Sequence, residues 1–406
     1  MRWLLALIMS FQAFAQVDMD AQLDKYVQEF GLRPLRDMPV EANAKRDLGH
    51  MLFTERRLSG NQNISCMECH SPASNTHDGL PLSVGEGAEG IQGSRSPRMQ
   101  KMGHMLPRNS PALLNLGTEN LMFWDGRVSF DPETNILVTP ETNLRQDIRD
   151  TLKSALAAQA LFPMVDVKEM RGAPGTNPIA DARDNHEAWD LIVQRLLAVP
   201  KYKAAFDAAF PGETINIGHV GEALAAFFRQ QFHFNDTPFD RYLKGDRKAL
   251  SEIQKKGMDI FFNKGKCGNC HNGENLTNGK FANIATPQIG PGKKNGDDLG
   301  RGEVDPTPEN KWAFKVPALR NVSVTAPYMH NGSFKTIAQI IEHYDDIKAG
   351  LGEYKLVNNL TNYTQPIKDH DHSSDFERLA TLSKDLVPKL NFLEEEEKAL
   401  AEFLNG

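Results

Sequence analysis

Cys66-Met67-Glu68-Cys69-His70 and Cys267-Gly268-Asn269-Cys270-His271 decide how this chain of 406 residues is read, because the two pentapeptides use all four of its cysteines. In the pattern CxxCH, each thiol adds to a haem vinyl group and the adjoining histidine sits beneath the iron as its proximal ligand. One such match can arise by chance in a long protein. Two of them, with no cysteine left over, point to two covalent haem c groups. The competing readings are a four-cysteine zinc site and a pair of disulfides. Zinc leaves both histidines unexplained, and a disulfide across a two-residue gap is strained and better suited to redox work than to support.

Outward from these units, the start of the chain sets the compartment. Arg2, the apolar run Trp3 to Met9 and the small-residue site Ala13-Phe14-Ala15 have the pattern of a secretory signal peptide over residues 1–15, with the mature chain beginning at Gln16. The apolar run falls short of the roughly 20 residues that span a bilayer, and no cysteine near the cut offers a lipid anchor. The expectation is a periplasmic protein without membrane insertion. Its formal charge of −7 argues against nucleic acid or anionic membrane as partner and is compatible with docking to a polar or basic protein. With 40% hydrophobic residues the chain can build two cores.

Apolar residues at helical spacing lead into each haem unit: Leu23, Tyr26, Val27, Phe30, then Ala44, Leu48, Met51, Leu52 before the first, and Ile253, Gly257, Ile260, Phe261 before the second. Further helices are predicted over 147–162, 188–198, 220–232, 337–344 and 394–403. Polar, glycine-rich loops follow both CxxCH units, and no strand-rich region stands out. Phe234-Asn235-Asp236-Thr237-Pro238 reads as a linker. The fold class is therefore mainly α: two cytochrome c-like haem domains, 16–235 and 236–406, with long loops and little β.

The two CxxCH sites, Phe123-Trp124-Asp125-Gly126-Arg127, Pro238-Phe239-Asp240-Arg241-Tyr242-Leu243-Lys244-Gly245, Leu319-Arg320-Asn321 and Thr325-Ala326-Pro327-Tyr328-Met329-His330 together resemble the bacterial di-haem cytochrome c peroxidases. Within them the chain is most similar to the MauG-like branch. The resemblance covers nearly the whole mature chain and implies reaction with hydrogen peroxide at the N-terminal haem. It identifies Glu169 as the general acid/base over that haem, Gln159 as the group orienting peroxide or water, and Pro163 as shaping the pocket. Cleaving a peroxide O–O bond calls for a proton carried from the inner to the outer oxygen, and a carboxylate can do this as base and then acid. Read by itself, Glu169 beside Lys168 and Arg171 is a solvated charge. A departure from the family pattern is the long stretch between Trp124 and Gln159, an insertion within 129–154.

Where conventional members carry a histidine that blocks the first iron, this chain has Glu86, which implies an iron open to peroxide. His77 and His104 are the alternative sixth ligands and read more simply as loop histidines. Met99, Met102, His104 and Met105 resemble a copper-binding run but fit better as gap-filling side chains under a loop. Where conventional members cap the second iron with methionine, this chain has Tyr344, as in the MauG-like branch. A phenolate there lowers the potential, and Met329 is the competing ligand. The resemblance further implies Trp124 as bridge between the haems and a Ca2+ between the domains, held by Asn109 and the carbonyls of Thr325 and Pro327. The string Asp369-His370-Asp371-His372 reads as solvated surface. Three functions follow: a MauG-like oxidase acting on a partner protein, a conventional peroxidase fed by a small periplasmic electron donor, or a plain electron carrier. Both a monomer and a homodimer are compatible with this reading.

Overall fold

The computed structural model describes residues 18–89, 96–97, 105–293, 296–359 and 367–406. The leader expected at 1–15, together with Met99, Met102 and His104, lies outside them. The described chain is mainly helical and forms two principal cores.

In the first core the helix Asn43–Phe53 crosses the helix Ile217–Gln231, placing Leu48, Leu52 and Phe53 against Val220, Leu224 and Phe228. In the second the helix Glu252–Phe262 crosses Glu394–Asn405, with Met258 and Phe261 against Leu400 and Phe403. Both crossings depend on a glycine. A Cβ on Gly49 would stand 2.0 Å from the Ala223 carbonyl oxygen, and one on Gly257 would stand 1.9 Å from that of Ala399. In each case a phenylalanine four residues on, Phe227 or Phe403, lies alongside the glycine. The close approach, glycine against an alanine turn, is thus built twice, and the duplication legible in CxxCH extends to the packing of its helices.

A second repeat is visible once the halves are laid side by side. Pro111-Ala112-Leu113-Leu114-Asn115 and Pro317-Ala318-Leu319-Arg320-Asn321 both end on an asparagine in left-handed backbone, φ 59° and 60°, which starts a short 3-10 turn. The two asparagines meet, with Asn115 Nδ2 donating to Asn321 Oδ1 at 2.8 Å. Two of the family-like motifs also meet. Arg320 pairs with Asp240 at 2.9 Å in a buried contact, and Asp240 caps the helix Pro238–Leu243 through Thr237.

Three expectations change. The helix Met19–Glu29 packs in the second core, not the first: Leu23, Tyr26 and Leu32 join Tyr242, Met258 and Phe262, while Asp20 pairs with Lys255 at 3.0 Å. The boundary at 235 therefore misassigns the chain's beginning. The helix expected over 147–162 is two, Gln146–Thr151 and Ala155–Gln159, because Leu152 turns extended, Lys153 N–H leaves for Glu222 (2.7 Å) and Ser154 caps the second. The insertion completes a three-stranded antiparallel sheet, its residues supplying Ile136–Val138 and most of Val128–Asp131 against Leu121–Met122, where no strands were expected. Its buried Val128, Phe130 and Leu137 support the helix that ends in Gln159.

Candidate di-haem site

Each CxxCH unit sits on one tight turn. Ser65 caps the helix Cys66–Cys69, and Glu68, inside the pentapeptide, returns the bond to Ser65 N–H at 2.6 Å and pairs with Arg56 at 2.8 Å. The second unit enters from Lys266 in left-handed backbone and forms a 3-10 turn, Cys267–Asn269. All four cysteines are free of disulfides. Burial pushes the Cys66 and Cys267 thiols up to about 12. Among the described residues no cluster of metal-ligating groups includes a cysteine, so the zinc alternative has no geometry to stand on.

The histidines are prepared alike. His70 Nδ1 lies 3.1 Å from the Thr76 carbonyl and His271 Nδ1 lies 2.9 Å from that of Leu276. Such a contact fixes the Nδ1–H tautomer and leaves the Nε2 lone pair for an axial metal bond. Burial lowers both histidines to about 4, so each is neutral as a ligand must be.

An apolar cavity of about 300 Å³ joins the two halves. From the first half Asn109, Phe123, Trp124 and Gln159 line it; from the second, Cys267, Cys270, His271, Tyr344, Thr325 and Pro327 do. Residues singled out in both halves of the sequence thus converge on one space, with Trp124 in its wall and its indole N–H donating to the Asn109 carbonyl at 3.1 Å. Tyr344 projects from the helix Ile337–Asp345 close to both Cys267 and Cys270, and burial drives its phenol far above its ordinary value. A phenolate in that place needs a cation beside it. Met329 also lines the cavity, while packing with Ile289, Phe334 and Tyr354. His330 is buried in the same wall, stacked at 3.5 Å on Phe314, and its Nε2 has no hydrogen-bond partner. Paired cysteines, neutral axial histidines, an apolar cavity and an orphaned polar atom in its wall fit a haem with its carboxylate edge.

Glu169 and Pro163 lie outside this lining. Glu169 is presented by a π-helical turn, Val167–Arg171, whose N-cap Asp166 accepts from Glu169 N–H at 3.1 Å. Burial and the Asp166 charge push the Glu169 carboxyl up to about 7, while Arg127 and Lys293 pull it back. Arg127 lies 3.5 Å over the Phe123 ring, which links Glu169 to the cavity wall beside Gln159. The turn is held from two sides: Glu86 N–H donates to the Lys168 carbonyl and Gly60 N–H to that of Met170, both at 2.8 Å. Glu86 is itself buried and accepts from Asn61 (2.8 Å) and Asn63 (3.0 Å). His77 is turned inward, its Nδ1 accepting from Gly79 N–H at 2.9 Å and its ring also bonded to the Val324 backbone.

Sequence reasoning gave no role to the interdomain carboxylate. Asp125 receives Arg108 (2.6 Å), Arg127 (2.8 Å) and Lys293 (3.4 Å), and Arg108 also pairs with Asp298 at 2.7 Å. Asp125 stood inside the quoted Phe123–Arg127 motif, but its cationic partners are up to 168 residues away.

Two c-type attachment sites, the second of them opening on the cavity between the halves and the first standing outside its lining, define a di-haem cytochrome. The chain matches the di-haem cytochrome c peroxidase family over residues 43–248 and belongs to it. It is 32% identical to the methylamine utilization protein MauG of Methylorubrum extorquens over 75% of this chain and 68% of that protein. It is equally 32% identical to the cytochrome c551 peroxidase of Pseudomonas aeruginosa, over 80% of both chains. The crystal structure of a MauG-like protein associated with microbial copper homeostasis superposes with a TM-score of 0.63 at 25% identity, covering 92% of each chain. The protein is thus a haem-dependent oxidoreductase acting on peroxide, carrying two haem c groups. No helix among the described residues is long and apolar enough to cross a membrane.

Proposed function

We propose that this peroxidase is a periplasmic, MauG-like oxidase. Peroxide reacts at an open N-terminal haem, and the oxidising equivalents are shared with a Tyr344-capped C-terminal haem and passed to a partner protein. The observation that carries the reading is Tyr344, which shares one cavity with His271, Cys267 and Cys270.

The haems supply the redox chemistry; the chain's own groups position and move protons. Glu169, near half-ionised at neutral pH, takes the proton of the inner peroxide oxygen and returns it to the outer one as water leaves. The Gln159 carboxamide orients the incoming oxygen, and Pro163, opening the 3-10 turn Pro163–Val165, shapes the wall. His70 and His271, each anchored at Nδ1 by a backbone carbonyl, would hold the two irons through Nε2. Trp124 bridges the two halves. Glu86 is tied to Asn61 and Asn63, which supports the reading of the first site as open to peroxide. Asn109 and the Thr325 and Pro327 carbonyls, which line the cavity between the halves, would be the oxygen ligands for a calcium ion between the domains.

A conventional peroxidase drawing electrons from a small cytochrome or cupredoxin is the second reading, and the position of Met329 on the same cavity favours it. Tyr344→Phe separates the two. Loss of the diferric protein's second-haem signature supports the first, and an unchanged spectrum with thioether ligation supports the second.

A further inference from the structure

We infer a second metal site, remote from the haem cavity, formed by His370, His372 and Asp375 and suited to one zinc-like divalent ion. The three side chains offer ligand atoms that all lie within 4.8 Å of one another. His370 Nε2 and Asp375 Oδ1 stand 2.9 Å apart, yet both are buried atoms that make no hydrogen bond. Two buried polar atoms this close without an aligned hydrogen bond are left to be satisfied by a shared ligand. His372 Nδ1 completes the group from the solvent side, 2.7 Å from Asp375 Oδ2.

The accessibility gradient has the form of an ion site with an entry path. The His370 side chain is 0% exposed, Asp375 16% and His372 48%. Two imidazoles and one carboxylate form a borderline donor set, and a fourth, outward position is left for water. Tetrahedral bonds of about 2.0–2.1 Å set ligand atoms a little over 3 Å apart, so the group closes by small side-chain movements. His370 Nδ1 accepts from the Gln288 N–H at 3.0 Å and lies 3.3 Å from the Gln288 carbonyl, so a change of tautomer exchanges the first contact for the second. Binding through Nε2 selects the Nδ1–H tautomer and turns that edge to the carbonyl, the outer partner a ligating histidine commonly has. Of the neighbouring cations, Lys368 pairs with Asp371 at 3.4 Å and Arg378 pairs with Asp297 at 2.6 Å while its charge also reaches Asp375.

The test uses the full chain with both haems attached, stripped with EDTA and dialysed against micromolar Zn2+, with zinc and iron counted by mass spectrometry. One zinc per two irons is expected. His372→Ala and Asp375→Asn should each weaken zinc binding at least about tenfold with unchanged haem spectra. His50→Ala, an exposed histidine of the first core, should leave it unchanged. A wild-type protein that retains no zinc, or zinc held equally by both variants, overturns the assignment.

Discussion

Glu169 gives the sharpest test of the peroxide site, because its folded pKa moves the reaction's pH dependence into an accessible window. A carboxyl at its ordinary value is fully ionised above about pH 6, and a reaction using it as base would be flat from there upward. Burial pushes Glu169 up to about 7. The sign follows: the base form is the minor one below that value and the major one above it. The second-order rate with peroxide should stand at about a tenth of its limit at pH 6, half at pH 7 and nine-tenths at pH 8, roughly a tenfold rise. Stopped-flow mixing of the diferric protein with peroxide across that range measures it. Glu169→Gln should lose about 10²–10⁴ in rate and flatten the profile, since an amide cannot relay the proton. Arg127→Gln removes a cation that pulls Glu169 downward, so its profile should keep its shape with the midpoint moved up in pH. A wild-type profile flat between pH 6 and 8, or one that persists in Glu169→Gln, refutes the assignment.

Three other outcomes follow from the same geometry. Tyr344→Phe should change the optical and paramagnetic signature of the second haem while leaving peroxide binding at the first; identical spectra would remove Tyr344 as ligand. Gly257→Ala drives a methyl to 1.9 Å from the Ala399 carbonyl and should destabilise the second domain by at least about 1–3 kcal/mol in thermal or denaturant unfolding, with wild-type stability excluding the close crossing. At Asp125 burial works against the charge, but Arg108, Arg127 and Lys293 outweigh it and hold the carboxyl well below the usual range. Its contribution is complete above the ordinary carboxylate value near pH 4 and fades as pH falls further. Asp125→Asn should therefore cost about 3–5 kcal/mol at neutral pH and much less in acid, measured by urea unfolding across pH.

The haem attachment was legible because CxxCH is specified by covalent chemistry, and the main helices were legible because one face of each is buried. The structured spans 217–231, 252–262 and 394–405 lie within a few residues of those read from spacing. What could not be read depends on partners far along the chain. Nothing in Leu23, Tyr26 and Leu32 announces that they pack on residues more than 200 positions later. The upward shift at Glu169 is a product first of burial and then of the nearby Asp166, opposed by Arg127 and Lys293, and burial and the two cations are supplied only by folding. Other features were readable and passed over. Val128-Ser129-Phe130-Asp131 alternates and is followed by Pro132 to Asn135, a hairpin signal, and the Pro111–Asn115 and Pro317–Asn321 repeat is plain once aligned.

Why the duplicated halves differ where they do follows from how each part is held. On the attachment side, a glycine pressed to a carbonyl, an axial histidine fixed by a backbone oxygen and an asparagine turn touching its own counterpart leave no room for a changed side chain. A substitution there costs stability before it alters chemistry. The groups proposed to act on peroxide and on the second iron sit on elements with more latitude: Glu169 on a five-residue π-turn clamped by loops, Gln159 at the end of a five-residue helix supported by a partly inserted sheet, Tyr344 near the end of a nine-residue helix. Replacing or re-aiming these side chains leaves both glycine crossings intact. The two copies were therefore free to diverge in what they do to an iron while remaining bound to the same way of holding one.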